Sequence, residues 1–428
     1  MGFILVDTFL IKFYDTIDKN FIPIDIKKII FSVMAFLCIV FQLIVLHYLK
    51  KLNSKTKVDR RIDVKLINRI VQISQFLLIA LFAFIVFQMF YFNYYDTILL
   101  MLIIIVTYAI ASLLLGKTMI SFILWYKLNH NRIFLLYSIS MSMILLNMIL
   151  TPIIVNMILS QKPEQIRLFA GGSMDISGGK YGFLSNLVKI SSILSFASIW
   201  FTTAILMRSA KDRFVKEIQF WIIICIPLVY FLFSYFAQDI FGAILFPFIR
   251  TDPILISLIL TSIFILSKPV GGVIFGLLFW RTSRQVSFDK ILREYMIISG
   301  YGFLLLFSAN QSTLLVLGPY PPFGTITISV LILATYLILI GIYTSATLVS
   351  TNIELRKFIY RMATDSKFLN LLRRAEMEKE IQKTVKKISE HKEIAEISNE
   401  ESFEFDENEL EKYLKQVIKE IKKEPASK

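Results

Sequence analysis

Lys268 is the strongest candidate for a functional residue, because it is a charged residue inside a long apolar run. It stands 15 residues after Pro253 and 13 before Arg281. At about 1.5 Å per helical residue it is therefore roughly 20 Å from either end of this apolar run. If the run crosses a lipid bilayer, a charged side chain at its middle costs about 2.5 to 3.5 kcal/mol, so it should face protein or water and not lipid. Two roles fit this position. Lys268 either lines a site for an anion, a polar ligand or a proton, or it fastens the bundle by donating to oxygens of neighbouring helices.

Small and helix-breaking residues surround this lysine in the segment Ser267-Lys268-Pro269-Val270-Gly271-Gly272. A proline inside a helix removes a backbone hydrogen bond and clashes with the carbonyl four residues earlier. The sequence therefore predicts a kink with a freed acceptor at Pro269. Gly271 and Gly272 permit neighbouring helices to approach closely. Charge, a helix break and small residues thus coincide at one place.

Two adjacent amides, Asn310 and Gln311, are further candidates for ligand contact. They belong to the polar run from Ser308 to Thr313 within an apolar segment. Such groups either form interhelical hydrogen bonds worth about 0.6 kcal/mol each or line a pocket. Two neighbouring amides exceed what helix packing needs. We therefore take Asn310 and Gln311, with Lys268 and Ser267, as the candidate ligand or ion residues.

Other chemistry finds little support. The chain has three His and two Cys, and both Cys stand in apolar runs, so neither a haem nor a zinc site is expected. No phosphate-binding loop, nucleophile elbow or pair of catalytic carboxylates is recognisable. The sequence predicts no catalytic residue, no metal site and no cofactor, and it leaves a membrane enzyme with catalytic groups on its loops as a minor alternative.

The composition identifies the environment that must position these groups. Of 428 residues, 56% are hydrophobic and 18% are charged, and the mean hydropathy is +0.66. A soluble domain has about 25% charged residues. The composition excludes a disordered chain, a disulfide scaffold and a soluble nucleic-acid binder, and it predicts an integral membrane protein with the lipid bilayer as its first partner.

Nine stretches are long enough to cross about 30 Å of hydrocarbon. They lie at about 29–49, 70–92, 98–125, 133–159, 183–207, 218–236, 254–280, 296–317 and 326–350. We predict an all-α, polytopic membrane helix bundle of about nine transmembrane helices at 29–350. An exterior or interfacial segment at 1–28 precedes it, and a cytoplasmic, charged helical tail at 351–428 follows it.

Basic residues alternate between the connections of these spans. The connections after the first, third, fifth and seventh spans hold 18 Lys and Arg, and the other four hold four. Because cytoplasmic loops collect Lys and Arg, we expect a multi-pass plasma-membrane protein with its N-terminus outside and its C-terminus in the cytoplasm. The net charge of +14 belongs to this pattern, so no nucleic-acid partner is expected.

The tail differs from the bundle in composition. Residues 351–428 contain 17 basic and 17 acidic residues. Apolar residues recur there at three- and four-residue steps, from Ile353 to Ile388 and again from Leu410 to Ile421, which predicts two helices. These helices pack on each other, or residues 352–424 bind a cytosolic protein or a second copy of the chain.

Several short motifs in the last part of the chain belong together. They are Ser267-Lys268-Pro269, Gly271-Gly272, Phe275-Gly276, the turn Tyr320-Pro321-Pro322-Phe323-Gly324, and, in the tail, Leu355-Arg356 and Ala375-Glu376-Met377-Glu378. Over about residues 255–385 they resemble a family of uncharacterised multi-pass membrane proteins of ammonia-oxidising archaea. The resemblance implies an archaeal plasma membrane. It carries over no activity, ligand or cofactor.

Three functions are compatible with these features. The first is a receptor-like or sensory protein that passes a membrane or exterior signal to the cytoplasmic helical tail. The second is a solute transporter or channel with Lys268 at an anion or gating site. The third is a membrane scaffold subunit whose tail docks a partner.

Overall fold

The computed structural model describes the greater part of the region before the tail. The described residues are 2, 4–7, 10, 23–55, 62–130, 132–160, 165–166, 182–209, 221–233, 266–285, 289–310, 320–351, 375, 377, 379 and 381. Met1–Glu376 form one compact unit and Met377–Lys428 a second. Only Met377, Lys379 and Ile381 of the second unit are described, and they are helical. Most of the two predicted tail helices therefore lies outside the described residues.

The first unit is built of α-helices with one short pair of strands. The helices are α1 (Ile24–Lys55), α2 (Ile62–Phe92), α3 (Thr97–Asn129), α4 (Arg132–Leu159), α5 (Gly182–Ser209), α6 (Trp221–Phe233), α7 (Ser267–Gln285), α8 (Lys290–Ala309) and α9 (Thr325–Thr351). The strands β1 (Tyr95–Asp96) and β2 (Gln165–Ile166) pair antiparallel, with Tyr95 opposite Ile166. An all-α bundle, as the hydropathy pattern predicts, accounts for the described chain.

Seven helices of the described part are long and apolar enough to cross a membrane, namely α1 to α5, α8 and α9. The first five predicted spans and the ninth lie entirely within α1 to α5 and α9. The sixth is represented by α6, a shorter apolar helix. The seventh is described only from residue 266 onward. A total of nine spans stays a prediction, because residues 234–265 lie outside the described part.

The boundaries of the eighth span differ from the predicted 296–317. Helix α8 runs from Lys290 to Ala309, and its first turn is capped by Asp289, whose side chain accepts from the backbone N–H groups of Ile291 and Leu292. A capping carboxylate satisfies N–H groups that have no partner within the helix. The hydropathy pattern contains no such information, so it places the start of this helix too late.

Helix α9 occupies the centre of the first unit. Its most apolar stretch is 100% buried, whereas the corresponding stretch of α1 is only 28% buried. It contacts α1, α2, α3 and α8, most extensively α8 and α3. A helix that is apolar on all sides is expected to be surrounded by other helices or by lipid. Here other helices surround it, and they take up the face that lipid would otherwise cover.

Glycines allow α8 and α9 to approach each other closely. A Cβ atom added at Gly302 of α8 would lie 2.8 Å from the backbone nitrogen of Ile338 and 3.0 Å from the carbonyl oxygen of Ala334. A Cβ atom added at Gly341 of α9 would lie 2.8 Å from the carbonyl oxygen of Tyr295. Helices inside lipid lack a hydrophobic driving force for association, and small residues at such crossings let their backbones pack closely instead. Helices α8 and α9 are therefore joined by backbone contact.

The end of the bundle that carries β1 and β2 is here called the ribbon end. Tyr320, in the turn before α9, stacks on Tyr95 at 6.1 Å between ring centroids. Its hydroxyl donates to the carbonyl of Met89. Lys28 near the start of α1 donates to the side chain of Asn93. The beginnings of α1, α3 and α9 and the end of α2 therefore meet at this end.

Asp7, from the N-terminal segment, caps the start of α9 at the ribbon end. Its carboxylate is fully buried and accepts hydrogen bonds from the backbone N–H groups of Gly324 at 3.0 Å and Thr327 at 2.9 Å, and from the Thr327 hydroxyl at 2.7 Å. A carboxylate suits the positive end of the helix dipole. Burial nevertheless raises the pKa of Asp7 to about 6, because these hydrogen bonds only partly offset the loss of water.

The glycine contact between α8 and α9 predicts the cost of a single methyl group. We expect Gly302→Ala to lower the free energy of unfolding by about 1 to 3 kcal/mol, because the two backbones must separate. The matched control is Gly116→Ala in α3, where the nearest atom to an added Cβ is 3.9 Å away. Unfolding of the purified protein in mixed detergent micelles measures both. Equal costs at the two glycines would contradict the close approach.

The buried carboxylate predicts a dependence of stability on pH. Folded Asp7 titrates near pH 6 and an ordinary Asp near 3.8, so the folded protein keeps a proton that the unfolded chain has lost. Stability from this group is therefore full below about pH 4 and falls as the pH rises to about 6, by about 3 kcal/mol for about two pKa units. The free energy of unfolding at several pH values measures this decline.

Asp7→Asn should remove this part of the pH dependence, since an amide does not titrate. Asp25→Asn serves as the control, because Asp25 lies in the same region with its side chain 88% exposed. We expect the control to keep the wild-type slope. An Asp7→Asn variant that lost stability with pH as steeply as the wild type would contradict the assignment.

Candidate functional site

The start of α7 and the end of α8 meet at Lys268. Leu266 forms a turn, and α7 begins at Ser267. Asn310 follows the last residue of α8 and has φ −80° and ψ 68°, outside the helical region. The ammonium of Lys268 donates to the backbone carbonyl of Asn310 at 2.9 Å. A cation thus lies at the carbonyl end of α8, where the helix dipole is negative.

The side chain of Asn310 continues this contact into a chain of amides. Its Nδ2 donates to Oδ1 of Asn147 in α4 at 3.0 Å. Nδ2 of Asn147 donates to the hydroxyl of Ser191 at 2.9 Å and to the carbonyl of Val188 at 3.3 Å, both in α5. The four helices α4, α5, α7 and α8 are therefore connected by one set of hydrogen bonds. Lys268, Asn310, Asn147 and Ser191 are here called the polar cluster.

The orientation of both amides is fixed by a backbone carbonyl. Because Val188 O can only accept, Asn147 must present Nδ2 to α5 and Oδ1 to Asn310. Asn310 must then donate through its own Nδ2, and its Oδ1 points away from this chain of bonds. Among the described residues, Oδ1 of Asn310 has no hydrogen-bond partner, although the residue is only 8% exposed. The chain of amides therefore ends in a buried acceptor that lacks a donor.

A buried acceptor without a donor costs about 1 to 3 kcal/mol. In native structures such a group calls for a specific explanation, such as strain, a water molecule, an ion or a ligand. Lys268 adds a second feature of the same kind, since the ion pairs between described residues do not include it. The cluster therefore combines a cation lacking a described carboxylate partner with an acceptor lacking a described donor, and both lie at Asn310.

The polar cluster lies inside the bundle, nearer the ribbon end. Asn147 is 12 residues from the end of α4 and Ser191 is 9 residues from the start of α5, or about 18 and 14 Å along the helices. Lys268 is 17 residues from Gln285 at the other end of α7, or about 26 Å. The cluster is thus nearer the ribbon end than the opposite end of these helices.

Four aromatic rings lie next to the cluster on the side away from the ribbon end. Phe196 of α5 stacks on Phe231 of α6 at 4.0 Å and contacts Phe275 of α7 at 5.3 Å. Phe275 in turn contacts Phe307 of α8 at 4.8 Å. All four are buried. These residues, here called the phenylalanine plug, form an apolar layer next to the cluster on the side of the opposite end.

The candidate residues from the sequence take the following positions. Lys268 and Asn310 are in direct contact. Ser267 is buried as the first residue of α7, and Gln311 lies outside the described residues. Pro269 is the third residue of α7. Its predicted acceptor, Ile265, lies outside the described part, so the kink stays a prediction.

Gly271 and Gly272 serve the packing of α7. A Cβ atom added at Gly272 would lie 3.1 Å from the carbonyl oxygen of Leu304 and 3.1 Å from Cβ of Phe307 in α8. Gly271 faces the ring of Phe196. The two glycines therefore let α7 approach α8 and the phenylalanine plug within about one helical turn of Lys268.

Asn147 and Ser191 did not stand out in the sequence. Asn147 is a lone amide among apolar neighbours, and Ser191 is one of several serines in α5. Occasional polar residues of this kind are common in membrane helices that pack through hydrogen bonds. The partner of Asn147 is 163 residues away along the chain, so no local spacing pairs it with Asn310. A lone amide with apolar neighbours on both sides is the only available signal.

Comparisons with protein-family models, with curated proteins and with solved structures find no match to this chain. Among the described residues, no group of three or more His, Cys, Asp or Glu could hold a metal ion.

The amide chain predicts unequal effects for two asparagines of α4. Asn147→Leu should lower the free energy of unfolding by about 1 to 3 kcal/mol, because it leaves the amide of Asn310 without an acceptor. Asn156→Leu is the matched control, since Oδ1 of Asn156 has no partner among the described residues. Unfolding in mixed micelles measures both. A loss at Asn156 equal to that at Asn147 would contradict the role of the cluster in joining α4 to α8.

Proposed function

We propose that the protein is a receptor-like or sensory membrane protein. A small ligand binds at the polar cluster, and the signal passes to the cytoplasmic tail through α9. The observation that carries this proposal is the backbone contact of α8 with α9 at Gly302 and Gly341. Helix α8 ends in the cluster, and α9 leads along the chain into the tail.

The coupling follows from how the two helices pack. Asn310 terminates α8, so a ligand that changes its hydrogen bonds acts on the end of this helix. Tightly packed interiors shift between discrete arrangements and do not deform continuously. Because α8 and α9 touch through their backbones, a displacement of α8 along its axis has to be accommodated by α9. The buried position of α9 leaves no lipid-facing side to absorb that movement.

The phenylalanine plug favours a receptor over an open channel. A pore needs a continuous polar path, and here four buried rings follow the cluster on one side. Apolar constrictions of this type exclude water and ions. A polar cluster with buried aromatic rings on one side suits recognition better than conduction.

We further propose a cellular location and an orientation for the protein. The apolar helices indicate a lipid bilayer environment. The distribution of Lys and Arg supports a plasma-membrane location with the ribbon end outside and the tail in the cytoplasm. The ligand would then reach the cluster from the exterior. The motifs shared with multi-pass proteins of ammonia-oxidising archaea support an archaeal source, and the charge pattern of the tail supports a cytosolic partner or a second copy of the chain.

The sensory proposal is tested by hydrogen exchange in the tail. Lys268→Met removes the contact at the end of α8, so we expect altered exchange in residues 352–428 of the full chain in lipid nanodiscs. Lys189→Met is the matched control, because Lys189 is an exposed lysine within the span formed by α5. Mass spectrometry of the exchanged peptides measures both. Tail exchange that is unchanged from wild type in Lys268→Met would contradict the proposal.

A second candidate, a solute carrier, is favoured by one specific observation. Helix α7 begins and α8 ends inside the bundle, at the same cationic site. Broken helices whose ends meet at a buried binding site are typical of secondary transporters. A carrier needs access from both sides in turn, whereas a receptor pocket opens from one side.

Thiol accessibility separates these two candidates. The variant is Lys268→Cys with Cys38 and Cys225 replaced, and a charged thiol reagent is applied from each side of sealed vesicles. The receptor proposal expects reaction from the exterior alone. Reaction from both sides would favour the carrier. Protection from both sides in a correctly inserted protein would show a purely structural lysine and contradict both functions.

A further inference from the structure

We propose that the polar cluster binds a short carboxylate that carries an amino or hydroxyl group within one or two carbons. This inference rests on the proposed sensory function and specifies its ligand class. It combines two observations at one residue. Lys268 donates to the backbone carbonyl of Asn310, and Oδ1 of the same Asn310 is a buried acceptor without a donor among the described residues.

The lysine determines the acidic part of the ligand. An ammonium group has three N–H donors, and one of them is used on Asn310 O at 2.9 Å. The ion pairs between described residues provide no carboxylate for it. Anionic acceptors form the strongest hydrogen bonds with an ammonium group. A ligand carboxylate would therefore supply both the missing charge and an acceptor for a remaining N–H.

The amide determines the second part of the ligand. Val188 O fixes the direction of Asn147 and hence of Asn310, so the Asn310 amide cannot flip to place Nδ2 where Oδ1 lies without losing both of these bonds. This oxygen can be satisfied only by a donor. A carboxylate alone has none to offer, so a plain carboxylic acid leaves the acceptor unpaired. An amino or hydroxyl group on the ligand provides the donor.

One small molecule can satisfy both the Lys268 ammonium and Oδ1 of Asn310, because both groups lie at Asn310. The carbonyl oxygen and Oδ1 belong to Asn310, so the carboxylate and the donor have to lie only a few atoms apart. Amino acids and hydroxy acids share this arrangement. The phenylalanine plug on the inner side favours ligands that remain short in that direction.

Titration calorimetry on the full chain in lipid nanodiscs tests the ligand class. The probes are glycine and alanine as amino acids, glycolate and lactate as hydroxy acids, acetate and propionate as plain carboxylates, and propylamine and propanol as plain donors. We expect one of the first two classes to bind at least about tenfold more tightly than both plain classes, since each charged hydrogen bond contributes about 1.5 kcal/mol or more. Comparison of the first two classes identifies the donor.

Two variants assign each half of the ligand to its residue. Lys268→Met should lower affinity for the preferred probe about tenfold and remove the advantage over a plain donor. Asn310→Leu should remove the advantage over a plain carboxylate. Lys189→Met should leave affinity unchanged. If Asn310→Leu does not fold, the probe series on the wild type and Lys268→Met decides the outcome.

Three results would overturn the inference. They are binding of acetate or propionate as tight as that of the two-function acids, absence of binding by all amino acids and hydroxy acids in the series, and equal losses in Lys268→Met and Lys189→Met. Failure of the proposed function looks different. In that case the two-function acids bind with the expected pattern, but the tail exchanges hydrogen at the same rate with and without them.

Discussion

Hydrocarbon offers no hydrogen bonds, and the arrangement of polar groups in this protein depends on that constraint. A polar side chain within a membrane helix has to find its partner inside the protein. Asn147, Ser191 and Asn310 do so across three helices, and Lys268 is held on a backbone carbonyl. Oδ1 of Asn310, which has no donor within the described part of the chain, is therefore the exception that an apolar environment makes most costly. For this reason we place the ligand there.

The same constraint accounts for the role of glycine. Inside lipid, burial of apolar surface gives little preference for one helix neighbour over another, so close contact and hydrogen bonds decide which helices meet. Gly302 and Gly341 bring α8 against α9, and Gly272 brings α7 against α8. The cluster and the central helix are thus linked by backbone contacts through α8. Under the proposed function, a ligand that acts on Asn310 would have a short physical path to the helix that leads into the tail.

The N-terminal segment provides a second connection to the central helix. Asp7 accepts from three donors at the start of α9. Asn310 lies at the end of α8, the helix that α9 contacts most extensively. Burial raises the pKa of Asp7 to about 6, so this contact differs in strength between mildly acidic and neutral surroundings.

The sequence by itself indicated a membrane protein, the approximate positions of six spans and two members of the polar cluster. Hydropathy is a property of each segment alone, so α1 to α5 and α9 contain their predicted spans, and a lysine or an amide in an apolar run stands out without knowledge of its neighbours. Only the tertiary structure decided what these residues contact. Asn147 meets Asn310 over 163 residues and Asp7 meets Gly324 over 317, and such pairings depend on helix packing that no local pattern contains. The same holds for α9, because lipid and neighbouring helices are equally apolar, and only packing placed this helix at the centre.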